Sequence, residues 1–100
     1  MLSSFPACFF KEDNGYSVIF PDLNYLATCG SDLDDALYMA VDCLAGYILW
    51  LWEDEEEVPA ASAIEDIDPL KICEELDFTY TECFVKMISV DVMEYAKEHF

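Results

Sequence analysis

One hundred residues are enough for one domain with a modest core. A hydrophobic share of 55% excludes a disordered chain despite the charge. A net charge of −18, from 22 acids against four lysines and no arginine, excludes a surface built to hold phosphate backbones and suits a basic protein partner instead.

The elements follow in chain order. Phe5 to Lys11 is an apolar run that reads as the first strand. Asn14-Gly15 is a hairpin turn, because both residues tolerate the positive φ that tight turns demand. Tyr16 to Phe20 reads as the second strand, and Pro21, lacking an amide proton, ends its pairing. Tyr25 to Cys29 reads as a short third strand at a sheet edge. Ser31 is the expected helix N-cap, with Asp34 three residues on as in a capping box. Asp32, Asp34 and Asp35 put negative charge at the positive end of that helix. Leu33, Leu37, Ala40, Val41, Leu44, Ile48 and Leu51 recur at helical spacing and form its apolar stripe.

Beyond the helix, Glu53 to Glu57 is an unbroken acidic run, and the chain from there to Pro69 reads as a loop. Lys71 to Leu76 is expected to form a helical turn. Thr79 to Val90, rich in β-branched and aromatic residues, reads as a long fourth strand. Asp91 caps a last helix over Val92 to Phe100. The order β-β-β-α-β-α predicts an α+β sandwich with the long helix on one face. Its sheet is a three-stranded antiparallel meander plus a fourth strand beside the first. The long crossover predicts that the fourth strand runs parallel to the first, as in a partial ribonuclease H-like fold.

A two-metal nuclease needs convergent carboxylates. Asp42 on the helix and Glu82 on the fourth strand are available, but the first strand offers no acid before Glu12. A residual nuclease is therefore the unfavoured reading. Asp32, Asp34 and Asp35 lack the glycine and the distal glutamate of an EF-hand loop and read as a helix start. His99 stands beside Phe100 with no orienting partner in sequence. The cysteines at 8, 29, 43, 73 and 83 are odd in number and form no CxxC pair, which argues against zinc and for a reducing, cytoplasmic compartment. The apolar run Cys43 to Trp52 is too short to span a bilayer, and the first residues lack the basic start of a signal peptide. We expect no enzyme, no catalytic or metal-binding residue, no cofactor and no membrane contact.

Two sets of residues are candidates for binding. Glu53, Asp54, Glu55, Glu56 and Glu57 are candidate contacts to a basic partner. Met39, Tyr47, Trp50 and Trp52 widen the apolar stripe of the long helix beyond what one sheet face covers, and are candidates for self-association into a dimer or larger assembly.

An ordered series of motifs resembles the HicB antitoxin family over nearly the whole chain. It comprises Phe5-Pro6-Ala7, the turn Asp13-Asn14-Gly15-Tyr16, Phe20-Pro21-Asp22-Leu23, and Gly30 with Ser31 to Ala36. It continues through the helix, its acidic end and Val58-Pro59, then Phe84-Val85-Lys86 and Val90-Asp91 to Tyr95-Ala96. The resemblance implies a partial ribonuclease H fold without nuclease activity. It also implies a small, basic, HicA-like RNA-cleaving toxin as partner, neutralised by stoichiometric occlusion. Many members add a C-terminal DNA-binding module, and this chain ends at Phe100, about where that module would begin. Residues 1–100 are accordingly expected to be a single HicB-like domain that binds no nucleic acid directly. The alternative is an orphan regulatory domain that binds some other basic protein.

Overall fold

The computed structural model describes residues 2–77 and 79–100. Its elements are β1 (Ser3–Glu12), β2 (Gly15–Phe20), β3 (Leu26–Gly30), α1 (Leu33–Glu53), α2 (Pro69–Leu76), β4 (Glu82–Val90) and α3 (Val92–His99), with two short 3-10 turns at Pro21–Leu23 and Ile64–Asp66. The four strands form one sheet in the order β3-β2-β1-β4. β1 is central, and every residue from Phe5 to Phe10 is buried. Alternation sends Phe5, Ala7 and Phe9 to the α1 side, where they join Val18, Phe20, Leu44, Ile48 and Ile88. Cys8 and Phe10 point to the opposite side, where Ile19, Ile72 and Cys73 complete a second, smaller core under α2. Pro6 is tolerated in this inner strand because β2 pairs with β1 only as far as Cys8, leaving Pro6 a single neighbouring strand.

β4 corrects one expectation. It lies beside β1 as expected, but it runs antiparallel to it, with Ser3 opposite Val90 and Lys11 opposite Glu82. The reason is the route of the chain after α1. The helix starts beside Gly30, at the hairpin end of the sheet, and its 21 residues carry the chain to the other end. A strand entering there directly would run parallel to β1. Instead the segment 54–81 returns across the second face, laying Ile67, Ile72, Cys73 and Tyr80 against it. It reaches the hairpin end, where the Thr81 amide donates to the Lys11 carbonyl at 2.8 Å. β4 then starts at the top and runs down.

The local boundaries shift for identifiable reasons. The N-cap of α1 is Asp32 and not Ser31: the Asp35 amide donates to Asp32 Oδ1 at 2.8 Å, and the Ser31 amide donates to Asp35 Oδ2 at 2.8 Å. The pair is moved by one residue, and the Asp35 carboxylate reaches the amide of Ser31, just before the cap, where a capping box would reach the cap's own amide. Asp68 caps α2 through the Leu70 amide, and Pro69 fills its first turn, so that helix begins before Lys71. Asp91 caps α3 as expected. Tyr25 lies outside β3, and the fourth strand begins at Glu82 and not at Thr79. Gly30 is required where the sheet meets the helix, since a Cβ there would stand 2.5 Å from Ala36 Cα.

α1 has the length and apolar content of a bilayer-crossing helix. Its Ala36, Ala40, Leu44, Ala45, Ile48 and Leu51 are nevertheless packed on the sheet, and Asp42 at its middle accepts the Tyr95 hydroxyl of α3 at 2.8 Å. It is the core helix, with α3 folded back along its flank.

Two packed faces on one strand have a measurable consequence. Phe9 is fully buried and stacks on Phe84 at 5.0 Å, while Phe10 meets Tyr80 edge-on at 5.7 Å. Phe9→Ala and Phe10→Ala should each lower unfolding free energy by about 3–5 kcal/mol in urea denaturation. A loss below about 1 kcal/mol for Phe10→Ala alone would mean that α2 does not seal the second face.

Candidate functional site

The interior offers no chemistry. No polar or charged residue is buried among the described residues. A depression of about 720 Å³ opens between the β1–β2 turn, the start of α1 and Thr79–Thr81. Glu12, Asp35, Tyr16 and Tyr80 line it. Ser17 Oγ donates to Glu12 there, but the histidine a serine nucleophile would need is His99, stacked on Tyr95 at 4.2 Å in α3. Asp42 is engaged by Tyr95, and Glu82 sits in register with Lys11. Among the described residues no three histidine, cysteine, aspartate or glutamate side chains converge on a point that would hold a metal ion.

Burial acts on two of the thiols. Burial, with lesser contributions from Cys83 and Asp68, pushes the Cys8 thiol up to about 12. Burial and then Asp42 raise Cys43, whose Sγ lies 3.9 Å from the Ala27 carbonyl oxygen. Cys29 is exposed on β3.

The surface is where the residues differ from an ordinary globular domain. Residues 12–70 contain no lysine, arginine or histidine and hold fifteen of the 22 acids. The bases sit on the end of β1 (Lys11), on α2 (Lys71), on β4 (Lys86) and on α3 (Lys97 and His99). No residue of β2, β3 or α1 carries a positive side chain.

The acidic run Glu53 to Glu57 closes α1. Glu53 is its last residue, Asp54 its C-cap, and Glu55 takes a left-handed φ of 57°. The Glu55 amide donates to the Trp52 carbonyl at 3.1 Å and the Glu56 amide to the Leu51 carbonyl at 2.8 Å, the paired bonds of a Schellman stop. Glycine usually fills that left-handed position, and cations usually follow at the negative end of a helix dipole. Here both preferences are broken by exposed acids.

The four apolar candidates do not form one patch. Met39, Tyr47 and Trp50 share the flank of α1 that runs along β3. Met39 lines the depression beside Cys29, Tyr47 accepts from Asn24 Nδ2 at 3.4 Å, and the Trp50 ring lies 5.8 Å from Tyr47. Trp52 is two residues on, about 200° further round the helix, and so faces elsewhere. Trp50 is 52% exposed and Trp52 42%.

One residue near this flank was not singled out from the sequence. Tyr25 is 41% exposed with a φ of 58°, and Asn24 before it has a φ of 59°. The left-handed region is rare for a bulky side chain. The Tyr25 hydroxyl donates to Glu75 of α2 at 2.7 Å, which raises its pKa. The residue type gives no signal of this; only the Pro21–Leu23 turn before it hints at an irregular corner.

Residues 4–70 match the family described as the HicB_like antitoxin of bacterial toxin-antitoxin systems. The chain belongs to that family. Its members are binding proteins and not enzymes. Antitoxin HicB 2 of Photorhabdus laumondii is 34% identical over 58 residues, covering 58% of this chain and 42% of that protein. The chain spans about half the length of the curated relatives it matches. A chain of a toxin–antitoxin complex from Streptococcus pneumoniae superposes with a TM-score of 0.80 at 35% identity, over 95% of this HicB-like chain and 73% of the other. The N-terminal domain of Burkholderia pseudomallei antitoxin HicB gives 0.66 at 25% identity, over 89% of this chain and 99% of that one.

The thiols supply a test of the site geometry. At pH 8 the Cys8 thiol should be ionised in roughly one molecule in ten thousand. Iodoacetamide followed by peptide mass spectrometry should therefore label Cys29 first, and Cys8 only on unfolding. Early modification of Cys8 in the folded protein would contradict the packing of the second face.

Proposed function

We propose that this chain is the toxin-binding domain of a HicB-like antitoxin. It neutralises a small basic RNA-cleaving toxin by stoichiometric occlusion, without catalysis. The observation that carries this reading is a family fold in which β2, β3 and α1 carry acids and no basic residue. The likeness to a chain of the Streptococcus pneumoniae complex supports it, since it covers 95% of these residues. Residues 1–100 act as one domain that contacts protein and not nucleic acid, because phosphate binding needs clustered lysines and arginines, and this chain sets four lysines and no arginine against 22 acids. A reducing cytoplasm suits an odd set of five cysteines with no CxxC pair.

Co-expression with the small basic protein of the adjacent reading frame tests this. The two should co-purify in fixed ratio, and RNA cleavage by that protein should stop at molar equivalence. Raising salt from about 0.1 M to about 1 M shortens screening from about 10 Å to about 3 Å. Association should slow more than dissociation quickens, since surface charge acts mainly on encounter. Cleavage that persists under an excess of this chain would refute the antitoxin reading, and kinetics indifferent to salt would refute electrostatic steering.

A further inference from the structure

We infer that the flank of α1 along β3, from Tyr47 and Trp50 to Tyr25 at the corner where β3 begins, is the docking surface for a basic protein, with an arginine or lysine side chain of that protein lying against the Trp50 and Tyr47 rings. The inference rests on the toxin-binding reading for its partner, and adds where on the chain the contact is made. Trp50, Tyr47, Asn24, Tyr25 and Glu75 form a connected series: a ring contact at 5.8 Å, a hydrogen bond at 3.4 Å, a peptide bond and a hydrogen bond at 2.7 Å. Two of its three aromatic residues are more than two-fifths exposed. Tryptophan and tyrosine with water-accessible rings are the usual anchors of protein interfaces, and their faces attract cations.

Charge decides the occupant. β3 is an edge strand, so no further strand covers this flank. Every charged side chain on β2, β3 and α1 is an acid. On α1, Glu53 and Asp54 follow Trp50 by three and four residues, the spacing that puts side chains on the same helix surface. A second copy would bring the same unrelieved negative side against itself, which like charges oppose. A basic protein meets an aromatic surface already framed by carboxylates. Trp52, on the far flank of the same helix, serves as the internal control.

The experiment uses the full chain with Trp52→Phe, leaving Trp50 as its only tryptophan, and the companion Trp50→Phe, leaving Trp52. Nona-arginine is the probe for the side-chain chemistry. Titration should change the emission of Trp50 and leave that of Trp52 unchanged. Trp50→Ala should weaken binding by about three- to thirtyfold, the range of a cation–π contact. Tyr25→Gly relieves the left-handed backbone and removes the ring, so it should weaken binding without loss of thermal stability. Equal responses from both tryptophans, or binding with Trp50 silent, would overturn the assignment. So would Trp50 emission that shifts with protein concentration alone alongside a dimer in sedimentation, which would give the flank to a second copy. The same variants in co-purification with the adjacent-frame protein separate the two readings: capture that Trp50→Ala leaves intact refutes this surface, whereas failure of the wild type to capture refutes the antitoxin function.

Discussion

Phe5, Ala7 and Phe9 point to one side of the sheet, Cys8 and Phe10 to the other, and all five are buried. Burying one large apolar side chain is worth roughly 1.5–3 kcal/mol, so both faces of β1 must be covered for the sheet to hold. α1 covers only one. The chain must therefore cross to the second face before it can return to the sheet, and the segment 54–81 makes that crossing with α2. Because it ends at the hairpin end, β4 is antiparallel to β1. Because β4 then ends at the opposite end, α3 turns back onto α1, fixed by Tyr95 on Asp42. The doubly buried strand thus sets the direction of the last strand and the position of the last helix.

Much of this was legible in the sequence, and the exceptions have physical causes. The hairpin, the end of β2 at Pro21 and the start of α3 at Asp91 depend on neighbours within a few residues and were readable directly, although the two turn residues are Asp13 and Asn14, with Gly15 already paired to Glu12. The unbroken apolar run Phe5 to Phe10 announced a strand buried on both sides, but not what would cover its second face. That cover comes from Ile72 and Cys73, some sixty residues later in the chain. The direction of β4 depends on the same distant contact, so a local reading of the crossover gave the wrong sense. At the helix start, Ser31 and Asp32 are both good caps, and the choice falls to the residue whose carboxylate reaches the Asp35 amide.

The candidate surface was half legible for a related reason. Composition showed that the chain is acidic, and helical spacing showed that α1 is apolar beyond a single stripe. Neither showed that Trp50 and Trp52 face different directions relative to the sheet, because that requires knowing which side of α1 rests on it. Tyr25 carried no local signal. Its left-handed backbone is imposed by the turn at Pro21–Leu23 and by the start of β3, and its hydroxyl partner lies fifty residues away on α2.

The placement of charge follows from the same architecture. With no polar or charged residue buried among the described residues, cohesion comes from an apolar core, and the surface is left free of structural duty. Such a surface can carry acids that are locally unfavourable, as at the end of α1, where five acids crowd the negative end of the dipole with no cation in the last turn. Each exposed misplacement costs at most about 1 kcal/mol. Net self-repulsion also destabilises a compact chain while keeping it soluble. A partner that binds only the folded state and neutralises this side reverses both effects, adding RT ln(1 + [L]/Kd), about 2.7 kcal/mol when the partner stands at a hundred times its dissociation constant. On the proposed reading, the unrelieved charge that weakens the isolated chain is the feature through which a basic partner would stabilise it.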